Sequence, residues 1–202
     1  MGMVLGLTTV SQRHIDAIRQ DPALVWRFIA PDDPDAYREF SPKPPKKGFF
    51  SRLFGRDNSP PEKAIPTPEL APGEGVCTDL DKAWQAVHFL LTGTATEGEL
   101  PRAFLLVGGA EVPGIEIGYG PARVFTPSEV AAVDRALASV SVNDLLARFD
   151  GSAMEEADIY PNIWISEDKA VCLEYIQQSY ERLQNFVKSA HEKGLGLIIT
   201  IG

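Results

Sequence analysis

The chain has 202 residues, of which 44% are hydrophobic and 23% charged, with a formal net charge of -9. That length suits one main domain with appendages, and a core of that size needs no disulfide or metal staple. The acidic balance excludes a chain built throughout to grip a phosphate backbone, so nucleic acid is not an expected partner.

Cys77 and Cys172 fit neither a disulfide framework nor a zinc-site spacing. Both are expected as small buried or half-buried hydrophobes in a reducing compartment. The apolar N-terminal run begins without the positive charge of a signal peptide. No stretch approaches the ~18 apolar residues of a membrane span. The expectation is a cytoplasmic protein.

In chain order, MGMVLGLTTV reads as a first strand, with β-branched residues at its end. Ser11 caps a short helix with Ile15 and Ile18 inward, and Pro22 opens a second that runs to Ala30 and buries Leu24, Val25 and Phe28. The composition then changes. Ten of the sixteen prolines lie between Pro31 and Pro72, and apolar periodicity is lost. The stretch at about 31–75 is therefore read as a mobile, proline-rich insertion in a single domain spanning 1–202.

One segment inside it keeps a pattern. Phe49, Phe50, Leu53 and Phe54 share one helical face, ringed by Lys46, Lys47, Arg52 and Arg56. A short basic amphipathic turn of that kind is a candidate for docking on an anionic membrane surface or an acidic partner. The plainer alternative is that its aromatics fold back on the domain while the charges solvate a linker.

Asp79 to Gly93 reads as one buried helix. Asp79 would cap it, and Leu80, Ala83, Trp84, Val87, His88 and Leu91 form one stripe, with Gly93 as the stop. Residues 102–108 are apolar without a decisive period. Glu111 to Gly120 alternates as a rim strand, and Arg123 to Phe125 is extended. Thr126-Pro127-Ser128-Glu129 is a capping box with proline at the first helical position. Further helices are expected from Ser141, from a second box at Ser152 to Glu155, and from Ser166, the last being the longest. LGLIITIG closes the chain as a strand buried on both faces, beside the first. The fold class is α/β: a small mixed sheet holding both chain termini, covered by several helices, with a long C-terminal helix.

Much chemistry is missing. His14, His88 and His191 form no HxxxH or HxH pair, neither cysteine lies in a CxxC, and there is no GxSxG, P-loop or GxGxxG. No metal or cofactor is expected. What remains is a polar-aromatic set: Asp81, Trp84, His88, Tyr119, Arg123, Tyr160 and Trp164. An imidazole inside an apolar stripe either has a hydrogen-bond partner in the core or lines a cleft. Arg123 is either a structural clamp on helix-end carbonyls or a carboxylate, or a bidentate anchor for an anion.

The motifs LDKAWQAVHFLLTG, GYGPARVFTPSEV and IYPNIW, followed by a long helix and an apolar C-terminal strand, resemble the YfbM-like family, a bacterial domain family of unknown function. The resemblance covers Met1 to Val10 and Cys77 to Gly202, and leaves the proline-rich stretch aside. It implies a small α/β fold and a cytosolic bacterial protein. Asp81, Trp84, His88, Gly120, Pro121, Arg123, Tyr160, Pro161 and Trp164 match its pattern. It implies no activity and no cofactor.

Two functions follow. One is a non-enzymatic binding module that presents an aromatic-plus-Arg cleft to another protein or a small anionic ligand. The other is a hydrolase or transferase acting on a phosphorylated or nucleotide-like substrate, with His88 as acid or base and Arg123 as charge stabiliser.

Overall fold

The computed structural model describes residues 2–41 and 65–202. Five strands form one sheet: β1 (Leu5–Val10), β2 (Cys77–Asp79), β3 (Ala110–Glu116), β4 (Pro121–Phe125) and β5 (Gly196–Ile201), in the order β2-β1-β5-β4-β3. β1 and β5 pair along their full length, Leu5 opposite Ile201 and Val10 opposite Gly196, so the first and last strands lie side by side at the centre. The named strands pair antiparallel throughout, and a single isolated bridge, Gly118 to Ile201, is parallel.

Strand alternation divides the side chains between two cores. Leu5, Leu7, Phe125, Leu197 and Ile199 point to one face. There they meet α4 (Trp84–Thr92), α5 (Pro127–Ala138), α6 (Val142–Leu146), α7 (Gly151–Glu156) and α8 (Lys169–Glu192). Val10, Ala122, Val124 and Ile198 point to the other face. It is covered by α1 (Gln12–Gln20), a 3-10 turn (Pro22–Val25) and α2 (Trp26–Ile29). α8 buries Ile176, Tyr180, Leu183 and Val187 completely. Each buried aliphatic side chain of this kind contributes about 1.5–3 kcal/mol. The Tyr180 hydroxyl reaches the Leu137 and Val140 carbonyls at 3.1 and 3.0 Å, which ties α8 to the end of α5. No helix among the described residues is long and apolar enough to cross a membrane.

Several local expectations shift. The helix expected from Asp79 begins at Trp84. Cys77–Asp79 is instead taken up as an edge strand on β1, and the Asp79 carboxylate accepts from the Asp81 amide at 2.9 Å. Asp81 turns the chain with a φ of 43°, and Ala83 stands at the N-cap of α4 without a side-chain cap. Gly93 does stop it, in the left-handed conformation. α7 is capped by Asp150, not Ser152, and α8 by Asp168, not Ser166. The capping box at Thr126 and Glu129 is complete. Cys172 is buried, but Cys77, on the edge strand, is exposed.

Within the proline-rich stretch, the described portions are built into the fold. α3 (Pro34–Phe40) is capped by Asp33 and buries Tyr37, whose hydroxyl donates to Asp21 at 2.9 Å. Glu74 is buried and binds the Ser11 amide at 2.6 Å, the Ala71 amide at 2.8 Å and His14 Nδ1 at 2.6 Å. Burial pushes the Glu74 carboxyl up, but those partners together hold it below the usual carboxylate range. Thr9 and Arg13 also bind this returning segment, at Gly73 and Glu69. The basic segment from Lys46 to Arg56 lies outside the described residues.

Candidate functional site

The polar-aromatic set separates into a closed corner and an open cavity. The corner lies where α4 begins. Trp84 is 5% exposed, stacks on Tyr160 at 6.2 Å between ring centroids and donates its indole N–H to the Met3 carbonyl at 3.3 Å. The Tyr160 hydroxyl accepts from the Met3 amide, and the Tyr160 amide donates to Gln85. Asp81 is exposed and accepts from the Tyr175 hydroxyl at 2.8 Å. Burial, helped by that carboxylate, pushes Tyr175 up to about 12. Trp164 is buried edge-on against Phe149 and donates to the Ile159 carbonyl at 2.6 Å. Every one of these polar atoms is used to fix one segment against another.

His88 is sealed with them, at 0% exposure. Its Nε2 lies 2.9 Å from the Glu97 carbonyl. A carbonyl only accepts, so Nε2 carries the proton and Nδ1 is the free lone pair, buried without a partner among the described residues. Burial lowers the His88 pKa, the Glu97 carbonyl raises it, and the Arg123 charge lowers it further. The ring is therefore a neutral core group near Arg123, shut off from solvent.

Arg123 is placed by β4, where Phe125 shares its face of the sheet. Its Nη1 donates to the Phe104 carbonyl at 3.2 Å and the Gly108 carbonyl at 2.9 Å, and its Nη2 donates to the Leu105 carbonyl. These bonds answer the orphan carbonyls of the irregular segment at 101–108, which belongs to no regular ladder. A clamp is realised, but on the carbonyls of an irregular turn and not on a helix end or a carboxylate. A guanidinium has five N–H donors. Nε–H and the second Nη2–H have no protein acceptor among the described residues.

Arg123 also lines a cavity of about 210 Å³ between the β3–β4 edge, the end of β5 and Leu106. Tyr119 stands at its mouth, 61% exposed. Gly118 sets that tyrosine: its φ is 58°, and an added Cβ would sit 2.6 Å from the Gly202 backbone. Only glycine lets the 118–119 turn lie on β5 this closely, where the Tyr119 amide donates to the Ile201 carbonyl at 2.9 Å. Glu111 lies directly opposite Arg123 in the strand register and lines the same cavity. Burial draws the guanidinium below its ordinary value, and the Glu111 charge draws it back up. Trp164 borders a broader and more open hollow of about 450 Å³ beside Phe149 and Lys169.

The structure thus brings Tyr119 and Arg123 to one opening, and Asp81, Trp84 and Tyr160 to one corner. It does not join the two groups in a single cleft. Glu111 was missed as a site residue. Its only sequence signal was the alternation of the rim strand, which says nothing of the partner strand's register. Among the described residues, no group of three or more His, Cys, Asp or Glu side chains could hold a metal ion.

A family model described as "Domain of unknown function (DUF1877)" matches residues 1–200. The match runs through the proline-rich stretch that the motif resemblance left aside. No match is found among curated proteins. Among solved structures, the chain is similar to the crystal structure of a protein of unknown function, YfbM, from Escherichia coli. The TM-score is 0.61 at 16% identity, covering 98% of this chain and 99% of that one. At that identity the likeness is one of fold.

Proposed function

The chain belongs to the family of the domain of unknown function DUF1877, and from its geometry we propose that it is a binding protein that holds a small anionic ligand in the Tyr119–Arg123 cavity. One observation carries the reading. Arg123 is fixed by three backbone carbonyls and, among the described residues, keeps two N–H donors uncommitted at a solvent-open cavity. A guanidinium already immobilised loses little side-chain entropy when an anion arrives, so its bidentate fork is pre-organised. Tyr119 offers a large amphipathic ring beside it.

The alternative is a hydrolase or transferase acting on a phosphorylated or nucleotide-like substrate. It draws support from the nearness of the Arg123 charge to His88. Weighing against it, the His88 ring is sealed and its N–H is committed to Glu97. A general base must come within hydrogen-bond reach of the proton it takes.

The test is an NMR titration of the full chain with small carboxylates and inorganic phosphate. Shifts clustered at Glu111, Tyr119, Gly120 and Arg123 are expected. They should vanish in Arg123→Lys, which keeps the charge and loses the planar fork. Silence from every ligand that bears a carboxylate or phosphate, zwitterions included, or shifts elsewhere on the chain, would overturn the reading.

A further inference from the structure

We infer that the cavity's ligand is a small zwitterion, one molecule carrying a carboxylate and a protonated amine, of about the size of a short α-amino acid. This rests on the ligand-pocket reading above and narrows it.

The inference starts from the strand register. Glu111 and Arg123 are directly opposed on β3 and β4, and both line the cavity. Directly opposed residues hold their Cβ atoms about 4.5–5.5 Å apart. Opposite charges so placed ordinarily close on each other. Here no ion pair joins them, because the guanidinium is turned to the Phe104, Leu105 and Gly108 carbonyls. Glu111 has no hydrogen-bond or ion-pair partner among the described residues. Among the described residues, one cavity therefore presents a carboxylate with no direct ion-pair partner and a cation with two spare donors.

That arrangement discriminates by charge. A simple anion gains from Arg123 and is repelled by Glu111; a simple cation meets the reverse. A molecule with both charges a few ångströms apart gains from each wall, and like-charge contact is the usual way a site rejects a wrong partner. Size narrows the class further. A volume of about 210 Å³ lies below the roughly 300–1,000 Å³ of pockets that take drug-sized ligands, which limits the occupant to a small molecule such as an amino acid with a short side chain. Leu106, Ile199 and Ile201 supply an aliphatic wall for that side chain.

The experiment is an NMR titration of the full chain with L-alanine, propionate, ethylamine and inorganic phosphate. L-alanine is expected to shift the Glu111, Tyr119 and Gly120 amides at a concentration at least about tenfold below that needed for propionate or ethylamine. Propionate acting as well as L-alanine would overturn the zwitterion and leave the anion pocket standing. Phosphate acting alone would do the same. Silence from all four would remove both. Glu111→Gln, at an exposed position on the edge strand, keeps the fold testable: it should erase the preference for L-alanine over propionate. A preference that survives the substitution would also overturn the inference.

Discussion

The corner at Trp84 and the cavity at Arg123 use the same residue types to opposite ends. In the corner, Trp84, Tyr160, Tyr175 and Asp81 spend their polar atoms on one another and on Met3. At the cavity, Arg123 meets three carbonyls and still has donors left over, and Glu111 across the ladder has no ion-pair partner among the described residues. The difference is one of satisfaction. A buried polar group that is fully bonded specifies the fold. A group with spare capacity at an opening is available to something else. The same aromatic-plus-Arg composition can therefore signal packing or recognition, and only the hydrogen-bond inventory tells them apart.

The comparison breaks if a closed-corner residue proves dispensable to the fold. Trp164 is the strictest case, 2% exposed and bonded to Ile159 at 2.6 Å. Trp164→Ala is expected to destabilise by about 3–5 kcal/mol, the range for removing a buried aromatic. Urea denaturation followed by circular dichroism measures it. A loss under about 1 kcal/mol, the ordinary effect of a peripheral substitution, would mean that this side chain is not part of the closed side.

His88 sharpens the boundary, since it lies near Arg123 yet belongs to the sealed side. Its pKa is lowered from 6.5 by burial, so the unfolded chain takes up a proton that the folded ring refuses. The stability this neutral ring confers is present above about pH 6.5 and is lost as pH falls from there toward the lowered folded value. Thermal unfolding of the native chain should therefore weaken from pH 7 to pH 5. His88→Leu is expected to cost about 0.5–1.5 kcal/mol at pH 7, because the Glu97 carbonyl loses one of its two donors and keeps the Thr94 hydroxyl. It should also flatten that part of the profile. A slope identical in the two chains would mean that the ring reaches solvent, and would return His88 to the open side.

Legibility followed the same division. Local signals carried far: the Thr126 capping box, the Gly93 stop and the apolar first and last strands all stand where the sequence places them. Each depends on residues within one turn or one strand. The start of α4 was misplaced because Cys77–Asp79 has only three residues, too few for any period, and pairs with a strand some seventy residues earlier. α3 was missed although Asp33-Pro34 is a fair start signal, since its seven residues bury only Tyr37. Of the candidate site, Arg123 is legible as a clamp, though on the carbonyls of Phe104, Leu105 and Gly108 and not on those of a helix end. What the sequence could not show was that Glu111 faces it, because cross-strand register is decided by two strands and the bulge between them.

The smallest expected effect on stability is the most telling about function. Tyr119 is 61% exposed, and the contact that anchors it runs from its backbone amide to Ile201. Tyr119→Ala keeps that amide and removes a ring standing in solvent, so its stability should change by no more than about 0.5 kcal/mol. If the ring exists to cover a ligand at Arg123, binding of a small carboxylate should weaken several-fold in a chain that melts like the native one. That dissociation of stability from binding is what separates the open side from the corner, where substitution costs the fold first. Affinity unchanged in Tyr119→Ala would move the tyrosine to the cavity's rim and leave recognition to Arg123 and its opposite carboxylate.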